Sequence, residues 1–360
     1  MTEPVAAACA GAVIDWHAHW VPPELVAFLA ARQVEPFVRA DRDGRWFHPA
    51  PGLRQPVKEH QLDIEGRLAE MDRCGVDRQV LSLAVVLGTF LGSLPADLEE
   101  DLVEVNNRGL SRLVRQRGDR FSGLAALPMG RPERTPEVLR AAVTEQGLLG
   151  AILPAEVFAT RRSAEAYAGL FEVADRLGAH LFVHPGPLPG TPPVPPDDDP
   201  ERMIRRRAVA FQEQMTAAAV TFEFTAFLDP FPRAVIHLAN LGGTLALLAD
   251  RIAMTAPRMG LPAEMAGRRL RRTVVDTASF GAAGIGLAAT TLGADRLLFG
   301  TDSPALAIAP QIEGVRAAGL PPAVLAGVLE HRPSLLTHDA LKRPLRPRPS
   351  RPTRAQGEGF

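Results

Sequence analysis

The first residues in this chain whose types and spacing can do chemistry are His17 and His19, which end the run Val13-Ile14-Asp15-Trp16-His17-Ala18-His19-Trp20. Side chains alternate faces along a strand, so the two imidazoles project to the same side and can chelate one cation. Neutral imidazole suits zinc, iron, nickel or copper better than calcium or magnesium, and the site needs further ligands from elsewhere. A His-x-His pair is common by chance, so the weight falls on what the rest of the chain supplies.

Later apolar runs also end in polar residues. His184 closes His180–His184, Asn240 follows Ala234–Ala239, Asp276 lies near the end of Thr273–Thr277, and Asp302 sits in Phe299-Gly300-Thr301-Asp302-Ser303-Pro304. His17, His19, His184 and Asp302 together would hold one divalent metal and leave a position for water or substrate. Asp302 can also manage a proton, because carboxylates and histidines are the usual acid/base groups. Asp276 suits either substrate contact or a structural hydrogen bond, and His180, four residues before His184, reads as structural. Trp20, Trp46 and Phe47 are available to wall a cyclic substrate, whereas Trp16, next to His17, points away from it and reads as packing.

These residues converge only if the runs are strands of one sheet. Eight short β-type runs occur, at Val13–Trp20, Asp77–Leu83, Phe121–Leu127, Gly150–Leu153, His180–His184, Ala234–Ala239, Thr273–Thr277 and Arg296–Phe299. Between them the apolar spacing predicts helices over Leu62–Cys74, Asp97–Gln116, Pro136–Gln146, Ser163–Leu177, Glu201–Phe227, within Thr244–Arg258 and over Ala282–Thr291. Alternation of this kind predicts an α/β chain folded as a (β/α)8 TIM barrel, with the polar residues gathered at the C-terminal ends of the strands. An open doubly wound sheet fits less well, since no glycine-rich phosphate fingerprint follows an early strand. The expected organisation is one barrel domain over 1–342, with a long loop near 21–60 introduced by Pro22-Pro23, and a disordered Pro/Arg-rich tail over 343–360.

With 360 residues, 46% of them hydrophobic, the chain can bury a barrel-sized core, and its net charge of -1 argues against nucleic acid or an anionic membrane as partner. Cys9 and Cys74 have no framework spacing, and neither a signal peptide nor a membrane-spanning run is evident, which points to the cytoplasm.

In order along the chain, the Ile14-Asp15-Trp16-His17-Ala18-His19 run, Met71-Asp72-Arg73-Cys74-Gly75-Val76-Asp77, Arg120-Phe121-Ser122-Gly123-Leu124, Val183-His184-Pro185-Gly186, Leu241-Gly242-Gly243, Asp276-Thr277-Ala278 and Phe299 to Pro304 resemble the amidohydrolase superfamily. The likeness is to its amidohydrolase-related branch, which includes aminocarboxymuconate semialdehyde decarboxylase and the resorcylate-type decarboxylases. It implies a distorted barrel with one metal, usually zinc and sometimes manganese, on the positions matching His17, His19, His184 and Asp302. Only two lysines, Lys58 and Lys342, occur in the whole chain, so a carbamylated-lysine bridge between two metals is not available in the barrel beyond Lys58. The resemblance also implies a homodimer in which Arg251 would reach a neighbouring subunit's substrate and anchor its carboxylate; an ordinary surface arginine fits Arg251 equally.

The chain departs from the family at Asn240, where a histidine normally precedes the glycine turn and acts as acid/base. Asparagine transfers no proton but can orient water or stabilise an oxyanion. His237, at an odd offset from Asn240, is expected on the opposite strand face and so is a poor substitute. Three functions are compatible with these residues. The first is nonoxidative decarboxylation, or a related C–C or C–O lyase step, on a small cyclic or unsaturated carboxylate, with Asp302 and Asn240 at the chemistry and Arg251, Trp20 and Asp276 toward the substrate. The second is metal-dependent hydrolysis of a lactone, ester or amide. The third is a barrel that binds a small anionic ligand without turnover.

Overall fold

The computed structural model describes residues 11–83, 91–193, 199–260 and 269–330. The Pro/Arg-rich tail and Cys9 lie outside the described residues.

Each of the eight apolar runs forms a parallel strand, labelled in chain order as β1 (Ile14–Trp20), β5 (Arg78–Leu83), β6 (Phe121–Ala125), β7 (Gly150–Pro154), β8 (His180–His184), β9 (Val235–Leu238), β10 (Thr273–Asp276) and β11 (Leu297–Leu298), with β2 to β4 in the 21–60 region described below. Neighbours in sequence are neighbours in the sheet, in the order β1-β5-β6-β7-β8-β9-β10-β11. Helices between the strands cover the outside and a packed interior covers the inside, which is why the strands read as near-continuous apolar runs rather than alternating ones.

The sheet closes on itself where β1 meets the chain just beyond β11. Trp16 N–H donates to Phe299 O at 2.9 Å, Asp302 N–H to His17 O at 2.8 Å and His19 N–H to Ser303 O at 2.7 Å. The expected (β/α)8 barrel is therefore the fold, and its closing seam carries His17, His19 and Asp302 together.

The helix Ile64–Cys74 shows how locally ordinary chemistry supports that seam. Asp63 caps it by accepting from Gly66 N–H at 3.0 Å, and Gly75 ends it in the left-handed region at φ 72°. Its buried residue Arg67 donates to His19 O and to Gln79 Oε1, and Gln79 in turn donates to Asp15 Oδ2. The backbone of the ligand strand is thus held from behind.

The stretch near 21–60 is not a long loop. Pro22 is the N-cap and Pro23 the first residue of a helix, Pro23–Ala31, where a missing N–H costs nothing. Three antiparallel strands follow, β2 (Phe37–Asp41), β3 (Gly44–His48) and β4 (Gln55–Pro56), with Gly44 at φ 136° opening β3 directly after the turn. Phe47 and Val38 pack from this small sheet into a second apolar cluster with Leu25, Leu29 and Leu102. The helix expected over Glu201–Phe227 is divided into Pro200–Arg205, a π turn at Arg206–Ala210 and Phe211–Phe224, and the one over Ser163–Leu177 into Arg161–Glu165 and Ala168–Leu177.

Candidate metal centre

Strand β1 is irregular between Asp15 and Ala18, where its register against β5 shifts. Such a bulge lets consecutive side chains point the same way. Trp16 and His17 therefore both reach residues of β8, a strand that is not next to β1, so the contacts cross the barrel interior. The Trp16 ring stacks on His180 at 5.4 Å and His17 meets Phe182 at 4.8 Å. Trp16 is packing, as its sequence suggested, but on the inner side of the barrel.

His17, His19, His184 and Asp302 each offer one ligand atom, and these atoms all lie within 4.8 Å of one another. His17 Nε2 is 3.2 Å from His19 Nε2, and Asp302 Oδ1 is 3.2 Å from His19 Nε2. The second ring nitrogens are all engaged outward. His17 Nδ1 meets Asp276 Oδ2 at 3.0 Å, His184 Nδ1 meets Pro185 O at 3.0 Å, and His19 Nδ1 meets Ser82 Oγ at 3.0 Å. A carboxylate and a carbonyl only accept, so His17 and His184 carry their protons on Nδ1 and turn Nε2 lone pairs inward. Ser82 Oγ points its own proton toward Ala18 O and accepts from His19 in the same sense. Three lone pairs and a carboxylate oxygen facing one another fit a single divalent cation.

The electrostatics agree. Burial opposes charge on His17, but Asp276 and Asp302 overcome it and push its pKa up to about 10. The space between these carboxylates favours positive charge, which a metal would supply in place of a proton. Burial holds His19 and His184 below the ordinary histidine range. Asp302 lies far below the usual carboxylate range; burial works the other way, and the His17 and His19 imidazoles against it outweigh burial.

Asp276 is fully buried, and its carboxylate takes four donors. Oδ2 accepts from His17 Nδ1 and from His237 Nε2 at 2.9 Å, while Oδ1 accepts from Asn240 N–H at 3.1 Å and Ala278 N–H at 3.0 Å. Of its two expected roles, the geometry displays the structural one. His237 consequently faces the interior and not away from it. The parity count failed because Asn240 lies beyond the end of β9, in a turn where Asn240, Leu241, Gly242 and Gly243 have φ of 55°, 54°, 67° and 74°. Asparagine tolerates that left-handed conformation better than most side chains. Asn240 is 5% exposed, and its amide oxygen has no hydrogen-bond partner among the described residues.

Beside His184 opens a cleft lined by Leu83, Leu91, Met129, Ile152, Leu153 and the prolines flanking Gly186. His184 is its only ionisable lining residue among those described. Trp20 does not line it. The Trp20 ring is 4% exposed in the core, and its Nε1 donates to Leu62 O at 3.0 Å. Phe47 is buried and Trp46 lies under the Arg54 guanidinium, so neither joins the cleft. Arg251 is exposed on the helix Leu245–Thr255 and is not among the cleft residues. Sequence reading overlooked Ser82, Arg67 and the His237–His180 contact. For Ser82 and the two histidines the available signal was a polar residue inside an otherwise apolar strand, which must find a buried partner.

The amidohydrolase family matches residues 14–331 of the chain. A 2-amino-3-carboxymuconate-6-semialdehyde decarboxylase of Dictyostelium discoideum is 29% identical over 153 residues, 42% of this chain and 40% of that protein, so the match spans less than half of that relative. A gamma-resorcylate decarboxylase of Polaromonas is 26% identical over 273 residues, 69% of this chain and 79% of that protein. Among solved structures, a dihydroxybenzoic acid decarboxylase from Polaromonas, with bound manganese and the inhibitor 2-nitroresorcinol, superposes with a TM-score of 0.64 at 22% identity, over 89% of this chain and 94% of that one.

Proposed function

The chain belongs to the amidohydrolase family, and on that premise we propose that it is a metal-dependent enzyme catalysing nonoxidative decarboxylation of a small aromatic or otherwise unsaturated cyclic carboxylate. The observation that carries this reading is the cleft beside His184, whose apolar walls would take a flat ring while its carboxylate meets the ligand cluster. His17, His19, His184 and Asp302 would hold one divalent ion. The imidazole-rich set favours zinc, and manganese is the alternative supported by the similar dihydroxybenzoic acid decarboxylase. When bound, the ion supplies Lewis-acid stabilisation of negative charge developing on the substrate.

In the reaction the bond between ring carbon and carboxylate breaks, carbon dioxide leaves, and the electron pair left on the ring carbon takes a proton. Asp302 would manage that proton. Its side chain is 19% exposed, against 0% for His17 and 3% for His19, so it alone of these three has ready exchange with solvent. Asn240 transfers no proton, and its buried amide oxygen would accept a hydrogen bond from a substrate hydroxyl or a water. Trp20 and Asp276 leave the substrate-facing set for supporting roles.

We further assign a homodimer in the cytoplasm. No helix of the described residues is long and apolar enough to cross a membrane. Arg251 shares its helix with exposed Leu247 and Met254, so pairing of that face would bring a guanidinium toward a second subunit. Arg251→Ala in such a dimer raises KM for a carboxylate about tenfold with little change in kcat, read by steady-state kinetics.

The deciding experiment loads the protein with zinc or manganese and offers hydroxybenzoates in D2O. Release of carbon dioxide with deuterium on the ring carbon supports the reading. Incorporation of labelled water oxygen without carbon dioxide replaces it with hydrolysis. Metal-dependent stabilisation with no turnover of carboxylates, lactones, esters or amides replaces it with a ligand-binding barrel.

A further inference from the structure

His180 and His237 are two imidazoles buried in the barrel interior that the proposed chemistry does not use. Both are 0% exposed, and they join Trp16, Asp276 and His17 in one continuous set of contacts. We propose that His237, backed by His180, is a positioning residue for the metal centre, fixing the Asp276 carboxylate that aims His17.

With His237 neutral, the hydrogen-bond directions leave one consistent arrangement. Asp276 Oδ2 accepts from both His17 Nδ1 and His237 Nε2, so His237 has its proton on Nε2. Neutral His237 then turns a lone pair on Nδ1 toward His180, whose Nε2 lies 3.1 Å away and donates. His180 is held in orientation by the Trp16 ring, parallel to it within 7°. Protons therefore point in sequence from His180 to His237 to Asp276, and from the other side His17 Nδ1 points at the same oxygen. That leaves His17 Nε2 facing the ligand cluster, where a metal would take the place of a proton. The arrangement is self-consistent without a charged imidazole in the pair, and the bulge in β1 lets adjacent residues, Trp16 and His17, serve both of its ends.

This inference rests on the metal-binding reading of the four-ligand cluster, and its test reads affinity and spectrum rather than turnover. Metal-free protein is titrated with Co(II), following absorbance, for the parent and for His237→Phe, His237→Gln and His180→Phe. Phenylalanine keeps the ring packing on Phe182, which lies 4.5 Å away, but removes the donor; glutamine can restore an N–H near the Nε2 position. The expected result is about tenfold weaker binding in His237→Phe, recovery to within about threefold in His237→Gln, and about threefold weakening in His180→Phe. In the Co(II) form of the parent, the paramagnetically shifted His17 Nδ1–H resonance should exchange slowly with solvent, and faster in His237→Phe. Unchanged affinity in His237→Phe, or equal weakening in the phenylalanine and glutamine variants, overturns the positioning role and leaves only packing. If His237→Phe does not fold, full parent affinity in His180→Phe with an unaltered resonance overturns it as well. A parent that binds no Co(II) fails at the cluster itself, a result distinct from any of these.

Discussion

Two buried carboxylates flank His17, and they ionise in opposite ways. Asp276 holds the ring of His17, and Asp15 holds its backbone, accepting from His17 N–H at 3.1 Å. Both are 0% exposed and both take four hydrogen bonds. Burial raises both, yet the charge and hydrogen bonds of His17 and the hydrogen bond of His237 bring Asp276 far below the ordinary carboxylate range. Burial pushes Asp15 up to about 6, because its donors, chiefly Thr301, Gln79 and the His17 amide, are neutral. Equal numbers of hydrogen bonds thus do not give equal charge. What separates the two is whether a hydrogen-bond donor can itself become positive: the charge of His17 lowers Asp15 too, but His17 donates to Asp15 only through its backbone amide.

The sharpest break of this contrast is Asp276→Asn, which deprives His17 Nδ1 of its anionic acceptor. Divalent-metal affinity should fall about 100-fold, measured by competition with a chromophoric chelator. Asp15→Asn acts instead on stability. A carboxyl whose folded pKa is raised contributes stability that is full below the unfolded value near 4 and is lost as pH rises through the folded value near 6. In metal-free protein, the unfolding free energy of the parent minus that of Asp15→Asn should therefore decline by about 2 kcal/mol from pH 4 to pH 7, read from denaturant curves. Asp276 has the opposite sign. Its contribution is present above the unfolded value and fades only as pH falls below about 4, so the two slopes occupy different windows.

Glu99 extends the comparison. It is 1% exposed, its acceptor contacts are to backbone N–H groups including Gly130 at 3.1 Å, and burial pushes it up to about 7. It should behave like Asp15. Glu99→Gln should stabilise the protein by about 1–2 kcal/mol at pH 8, a Tm rise of a few degrees, with the gain shrinking toward pH 5. The smallest effect is expected from Ser82→Ala, which removes a neutral partner from His19 Nδ1 and should weaken metal binding only about threefold in the same chelator assay.

How much of this was visible in the sequence follows from what sets each feature. The eight barrel strands were legible because burial on both faces imposes uninterrupted apolar runs. His17, His19, His184 and Asp302 were legible because barrel geometry puts functional residues at strand ends, and the structure brings all four together. The helix Pro23–Ala31 was obscured by its own start signal, since Pro22-Pro23 opens a loop or a helix with equal propriety. Trp16 and His237 were assigned to faces by counting in twos. That rule holds only inside a regular strand, and both positions are governed by a tertiary irregularity, the β1 bulge and the left-handed turn after β9. The partnership of His180 with His237 depends on which strands become neighbours, which no local pattern contains.

The closing seam has a consequence for biosynthesis. His17 and His19 leave the ribosome well before Asp302, while the strand hydrogen bonds that shut the barrel run between those same segments. A nascent chain therefore has histidines long before it has a complete coordination set. Full coordination of the ion and closure of the ring therefore become one late event.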